Sequence, residues 1–150
     1  MKPKRFAAYS QSPIANTRME IEKLLSKWGC KKVGFFDHYD EQRVEIQFVW
    51  LADDGIPYAG RFVLDVRPCK LSELGASKID AEVRGRWRAL LYFLRSALGA
   101  VEAGIIEAEA LFLPWLLQGN GQTVSEALLP RLRELQAGNA AMLLGAGPTP

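Results

Sequence analysis

Between Val83 and Val101 the apolar residues Val83, Trp87, Leu90, Leu91, Leu94, Leu98 and Val101 recur at helical spacing and gather on one stripe. A stripe of that length needs a broad apolar partner. The sequence supplies one upstream, where Val44, Ile46, Phe48 and Trp50 alternate with Arg43, Glu45, Gln47 and Val49, the period-two pattern of a strand with one buried face. The pairing of these two patterns predicts an α+β domain in which a long helix covers a small sheet.

The other elements follow from local signals. Ser12-Pro13 and Thr17 with Glu20 offer two possible starts for a first helix, whose apolar face is Ile21, Leu24, Leu25 and Trp28 and whose stop is Gly29. A first strand is expected over Lys32 to His38, with Val33 and Phe35 on one side and Gly34 and Phe36 on the other. Tyr39 to Gln42 and Ala52 to Gly55 read as turns, and Arg61 to Arg67 as a third strand with Phe62, Leu64 and Val66 inward. These three strands form an antiparallel meander. The long helix is expected to begin near Ile79 or Asp80 and to end before Gly104. A second helix follows over Ile106 to Leu117 despite Pro114, and a last one opens at the capping box of Thr123 and Glu126 and runs through Leu128, Leu129, Leu132 and Leu135, bent or delayed by Pro130.

The 150 residues, 49% hydrophobic and 24% charged, fit one domain over 1–150, with residues 1–11 and 138–150 expected to be flexible. No apolar run reaches the length of a membrane span, because Arg95, Glu102, Glu107 and Glu109 interrupt it. The basic N-terminus leads into polar residues and Pro13, unlike a secretory signal. Cys30 and Cys69 are far apart and form no metal or disulfide pattern, which fits a reducing cytoplasm.

Catalytic chemistry has little to stand on. His38, the single histidine, sits in Asp37-His38-Tyr39-Asp40-Glu41, residue types able to bind a metal or to act as a base, but at a hairpin turn such residues are expected to face water. Glu45 and Gln47, with Asp65 across the sheet, are reminiscent of a magnesium nuclease, yet the lysine of such a site is missing and the three alternate outward as a solvated face requires. Gly-Asn-Gly-Gln-Thr lacks the lysine of a phosphate loop. The expectation is a protein that is not an enzyme and needs no cofactor or metal.

Binding residues are better represented. The net charge is only +2, but Met1 to Lys32 carries eight basic residues against Glu20 and Glu22. Arg84, Arg88 and Arg95 share a face of the long helix with Tyr92, and guanidinium groups beside an aromatic suit phosphate and bases. Lys23, Lys27, Lys31 and Lys32 offer a second phosphate-tracking surface, and Phe36 and Arg61 extend it on the outer sheet face. A charged helix face is equally what solvation alone produces. Beyond Gly104 the chain has more apolar residues than one buried stripe uses, so Ile106, Phe112 and Trp115 are candidates for a partner face or for homo-oligomer formation.

Three segments, YSQSPIANTRMEIEKLLSKWG, RWRALLYFLRSALGAVEAGI and FLPWLLQGNGQTVSEALLP, resemble a group of small proteins encoded in bacteriophages and prophage regions. The matching positions are Trp28 and Gly29, Arg86 to Ala89, Val101 to Gly104, and Phe112 through Val124; Gly99 departs from the pattern. The resemblance implies a phage origin, the cytoplasm of a bacterial host and a shared fold, and it brings no catalytic residues. The order of elements is also similar to the core of phage single-strand-annealing proteins and to double-stranded-RNA-binding domains. The function expected from the sequence is therefore non-catalytic binding of single-stranded DNA or another nucleic acid in a phage DNA transaction. The alternative is an interaction module that binds a host protein or forms part of an assembly.

Overall fold

The computed structural model describes residues 13–38, 41–65, 76–136 and 139. The order of elements is α1 (Ile14–Lys27), β1 (Cys30–His38), β2 (Arg43–Leu51), β3 (Pro57–Asp65), α2 (Ala76–Glu102), α3 (Ala108–Phe112), a 3-10 turn (Leu113–Trp115) and α4 (Val124–Leu135). The strands form one antiparallel sheet in the order β1-β2-β3, the α+β meander expected.

α1 begins at the first of its two possible starts. Pro13 occupies the N-cap, and Thr17 lies one turn inside, buried, with its hydroxyl donating to the Pro13 carbonyl at 3.4 Å. Ile21 and Leu25 continue that buried row at intervals of four. Gly29, at φ +96°, turns the chain out of the helix, and its carbonyl accepts from the Leu51 N–H at 3.0 Å, which fixes the entry into β1.

In β2 the alternation does what the pattern dictates: Val44, Ile46, Phe48 and Trp50 are all buried. β3 starts at Pro57, four residues before the expected Arg61, because its register with β2 runs from Leu51↔Pro57 to Arg43↔Asp65. Proline is tolerated there as the first residue of the strand. β1 likewise starts two residues early, at the buried Cys30. Val66 and Arg67 of the expected third strand lie outside the described residues, as do the two expected flexible ends apart from Asn139 and most of the connector after β3.

α2 covers the apolar face through Trp87, Leu91, Leu94 and Leu98, each at most 1% exposed. Trp87 reaches the Phe35 ring of β1 at a centroid distance of 6.0 Å. The Arg18 guanidinium lies 4.8 Å above the Trp87 ring and donates to Asp37 at 2.6 Å, so a single cation from α1 joins β1 to α2. α2 ends in a Schellman arrangement: Gly104, at φ +76°, donates to Val101 and Ile105 donates to Ala100.

The expected helix over Ile106 to Leu117 is cut short. Helical geometry covers Ala108–Phe112 and then tightens into the 3-10 turn that contains Pro114, whose ring and missing N–H do not sustain an α-helix. The next residues are extended. Leu116 bridges Gly60, and the Leu117 N–H donates to the Ala59 carbonyl at 2.8 Å, so the segment lies along the outer edge of β3. Gly60 makes this approach possible: a Cβ there would stand 2.4 Å from Phe48 Cζ and 2.9 Å from the Trp115 carbonyl oxygen. Gly60→Ala is therefore expected to cost about 1–3 kcal/mol through overpacking, and to raise the exchange rate of the Leu117 amide more than that of the central β2 amides. Urea denaturation and hydrogen exchange check both.

α4 carries the predicted capping box. The Glu126 N–H donates to Thr123 Oγ1 at 3.1 Å, and the Thr123 N–H donates to the Glu126 carboxylate at 3.0 Å. Pro130 sits inside the helix without interrupting it.

Candidate functional site

The arginine face of α2 turns inward toward α1. Arg88 donates to Glu20 at 2.9 Å and to the buried Thr17 hydroxyl at 3.5 Å, and only 13% of its side chain is exposed. Arg95 reaches the same Glu20 carboxylate at 3.5 Å. Both guanidiniums flank the Tyr92 ring, at 5.4 and 5.9 Å from its centroid. Arg88 is therefore a helix-to-helix contact and not the open phosphate ligand that its wheel position suggests. Arg84 is half-buried and also engaged.

The arginines of α1 and the sheet, and Arg86 of α2, follow the same rule. Arg18 pairs with Asp37, Arg43 with Glu41, and Arg86 with Glu82 and the Asp65 carbonyl. Arg61, expected on an open sheet face, is held between Glu45 at 3.7 Å and Glu126 of α4 at 2.9 Å. The lysines differ: among the described residues, Lys23, Lys27, Lys31 and Lys32 form no ion pair and all four are exposed. The site residues expected from the sequence thus separate into structural arginines and unengaged lysines.

The acidic candidates separate as well. Glu45 does not lie on a solvated face as expected. It is 7% exposed, accepting from Gln47 Nε2 at 3.0 Å, with Arg61 at 3.7 Å and His38 Nε2 at 3.8 Å. The cause is Arg61, whose link to α4 closes over this part of the sheet. Asp37 and His38 are consecutive on a strand and so point to opposite faces, Asp37 toward Arg18 and His38 toward Glu45. They do not form one site, and among the described residues no three His, Cys, Asp or Glu side chains converge as a metal would require. Tyr39 and Asp40 lie outside the described residues. Burial pushes the Cys30 thiol up to about 12, which makes it a packed core group. Cys69 is outside the described residues. The Glu126 carboxyl is held below the usual carboxylate range, chiefly by the Thr123 backbone N–H and further by Arg61.

Of the three expected partner residues, Phe112 belongs to the core. It is 1% exposed, between the rings of Phe48 and Trp50 at 5.5 and 4.9 Å. Trp115 is half-buried against Phe62 and Phe93, at 4.9 and 5.8 Å. Ile106 is exposed. The larger apolar surface lies on α4, none of whose twelve residues is buried. Leu128, Leu129, Leu132 and Leu135 are 43–58% exposed. Leu128, Leu129 and Leu132 join Leu113, Pro114 and Val124 around a groove of about 200 Å³. The sequence held the signal for this face, a leucine at every facing position of the last helix; what it did not disclose is that nothing in the described chain covers them.

No helix among the described residues is long and apolar enough to cross a membrane. No family model, curated protein or solved structure matches this chain.

Proposed function

We propose that the protein is a self-associating interaction module whose contact face is the leucine ridge of α4, with a second copy of the chain as the partner. The observation that carries this reading is a capped helix with no buried residue and four leucines open to solvent. A patch of that kind on a small domain marks an association site. Leu128, Leu132 and Leu135 follow one another by four and three residues, the spacing of a helix-to-helix seam, and Leu129 widens it. The module attaches to a rigid body, since Arg61 ties the first turn of α4 to the sheet through Glu126. The reading extends to a subunit of an assembly, and the phage origin that the resemblance of the sequence implies is compatible with it.

The double substitution Leu128→Glu with Leu132→Glu is the test. Sedimentation equilibrium is expected to give a multiple of 16.7 kDa for the wild-type chain and 16.7 kDa for the variant, with the helical circular dichroism retained. Burying each leucine contributes about 1.5–3 kcal/mol, so the association constant is expected to fall by roughly two orders of magnitude or more. A wild-type chain that stays at 16.7 kDa up to high micromolar concentration overturns the reading.

A further inference from the structure

The outer face of the sheet, opposite α1 and α2, carries a second concavity. It has a volume of about 310 Å³, with Lys32, Gly34 and Phe36 of β1 on one side, Gln47 and Val49 of β2 as its floor, and Leu117 as the far wall. That volume is at the lower end of the small-ligand range, roughly 300–1,000 Å³. None of these residues belongs to α4, so the inference stands apart from the self-association reading.

Phe36 is the distinctive group. It is 47% exposed, yet its ring is not loose on the surface. It lies across Gly34, two residues earlier on the same strand: a Cβ on Gly34 would stand 2.8 Å from Phe36 Cε2 and 3.3 Å from Cζ. The missing side chain lets the ring settle on the backbone, with about half of the residue left open. A ring supported in this way is a stacking platform for a flat heterocycle.

The charge beside it has one sign. Among the described residues Lys32 is the one charged group that lines the groove, and it has no ion-pair partner there. Lys31, the next residue in the chain, is exposed and also without an ion-pair partner among the described residues. The carboxylate across from Phe36 in the register, Glu45, is buried and engaged by Gln47 and Arg61. Gln47 spends one amide N–H on Glu45 and keeps the other N–H and its carbonyl for a ligand. An aromatic platform, a donor-acceptor amide and an unneutralised ammonium form a combination that matches a base joined to a phosphate. An apolar peptide would leave Lys32 and Gln47 without partners.

We propose that this groove binds a segment of single-stranded nucleic acid, with a base stacked on Phe36, its edge on Gln47 and the adjoining phosphate at Lys32. A duplex does not fit the chemistry, because its bases have no free face to offer the ring. Lys32 of β1 supplies the phosphate contact in place of the α2 arginines.

The test is fluorescence anisotropy with a labelled oligothymidylate of about twenty nucleotides and, in parallel, the corresponding duplex, across a salt series. The expected result is binding of the single strand that weakens as salt rises, with duplex binding weaker. Phe36→Ala is expected to lower affinity by about 5- to 100-fold, and Lys32→Ala to lower it and flatten the salt dependence. Gly34→Ala keeps the ring but displaces it, and the ring is a surface group that shifts cheaply, so it is expected to weaken binding while the fold stays intact by circular dichroism. Arg95→Ala, at the helix interface, is expected to bind as wild type. Absence of binding at low salt overturns the proposal, as does binding insensitive to Phe36→Ala and Gly34→Ala. Thymidine monophosphate that shifts the Gly34 and Gln47 amide resonances as tightly as the oligomer binds would overturn the strand in favour of a free nucleotide.

Discussion

Replacing Trp87 with alanine is expected to remove about 3–5 kcal/mol of folding stability, a large share of the roughly 5–15 kcal/mol that a domain has. Among the described residues Trp87 is the largest fully buried side chain, and both α1 and β1 reach it. Phe35 of β1 meets its ring at 6.0 Å, and the Arg18 guanidinium of α1 lies 4.8 Å over it. Alanine would leave a cavity at the point where sheet and both helices meet, and would take from Arg18 the ring that shields its charge. Urea denaturation followed by circular dichroism at 222 nm measures the loss; three other tryptophans remain, so emission is a poorer probe. Trp87→Phe keeps an aromatic over Phe35 and is expected to lose less than the alanine variant. A loss below about 1 kcal/mol for Trp87→Ala would mean that α2 does not cover the sheet as described.

Phe112→Ala is expected to be similarly costly, about 3–5 kcal/mol, and to act on folding instead of association. Its ring fills the end of the core between Phe48 and Trp50, beneath the short helix α3. Denaturation of Phe112→Ala should show the full loss, while sedimentation of the fraction still folded should match wild type. Leu128→Glu with Leu132→Glu should do the reverse, abolishing association with little change in unfolding free energy. A Phe112→Ala chain of wild-type stability that failed to associate would restore Phe112 to the partner face.

The contrast between Phe112 and Leu128 shows what the sequence could and could not disclose. Both are large apolar residues on helices, and both match a helical period. Periodicity states which residues share a face, but the burial of that face depends on what lies opposite in space. The same holds for Glu45. Its parity on β2 was legible and places it on the outer side, whereas its burial comes from Arg61 and, through it, from a helix that starts some eighty residues later. β2 and α2 are legible in the sequence because each has a single strong period. β3 was legible only from Arg61 onward, because Pro57 and Gly60 dilute its pattern; there the register with β2 and the approach of Trp115 decide the conformation. The α2 arginines misled for a related reason: Arg88 and Arg95 are neighbours on a wheel, and the carboxylate that neutralises them lies 68 and 75 residues away on α1.

That separation also bears on the order in which the chain can acquire its structure. α1 is synthesised before the sheet and α2, and isolated helices of its length are marginal in water. Its buried row and its Glu20 are completed by α2, so α1 has no stabilising contact on that side until residues near Arg95 have emerged from the ribosome. The β1-β2 and β2-β3 hairpins depend on close neighbours and can pair earlier. Docking of α1 against α2 is therefore a late, long-range closure, the kind of contact that slows folding. During vectorial synthesis the apolar face of the meander waits uncovered until the long helix arrives.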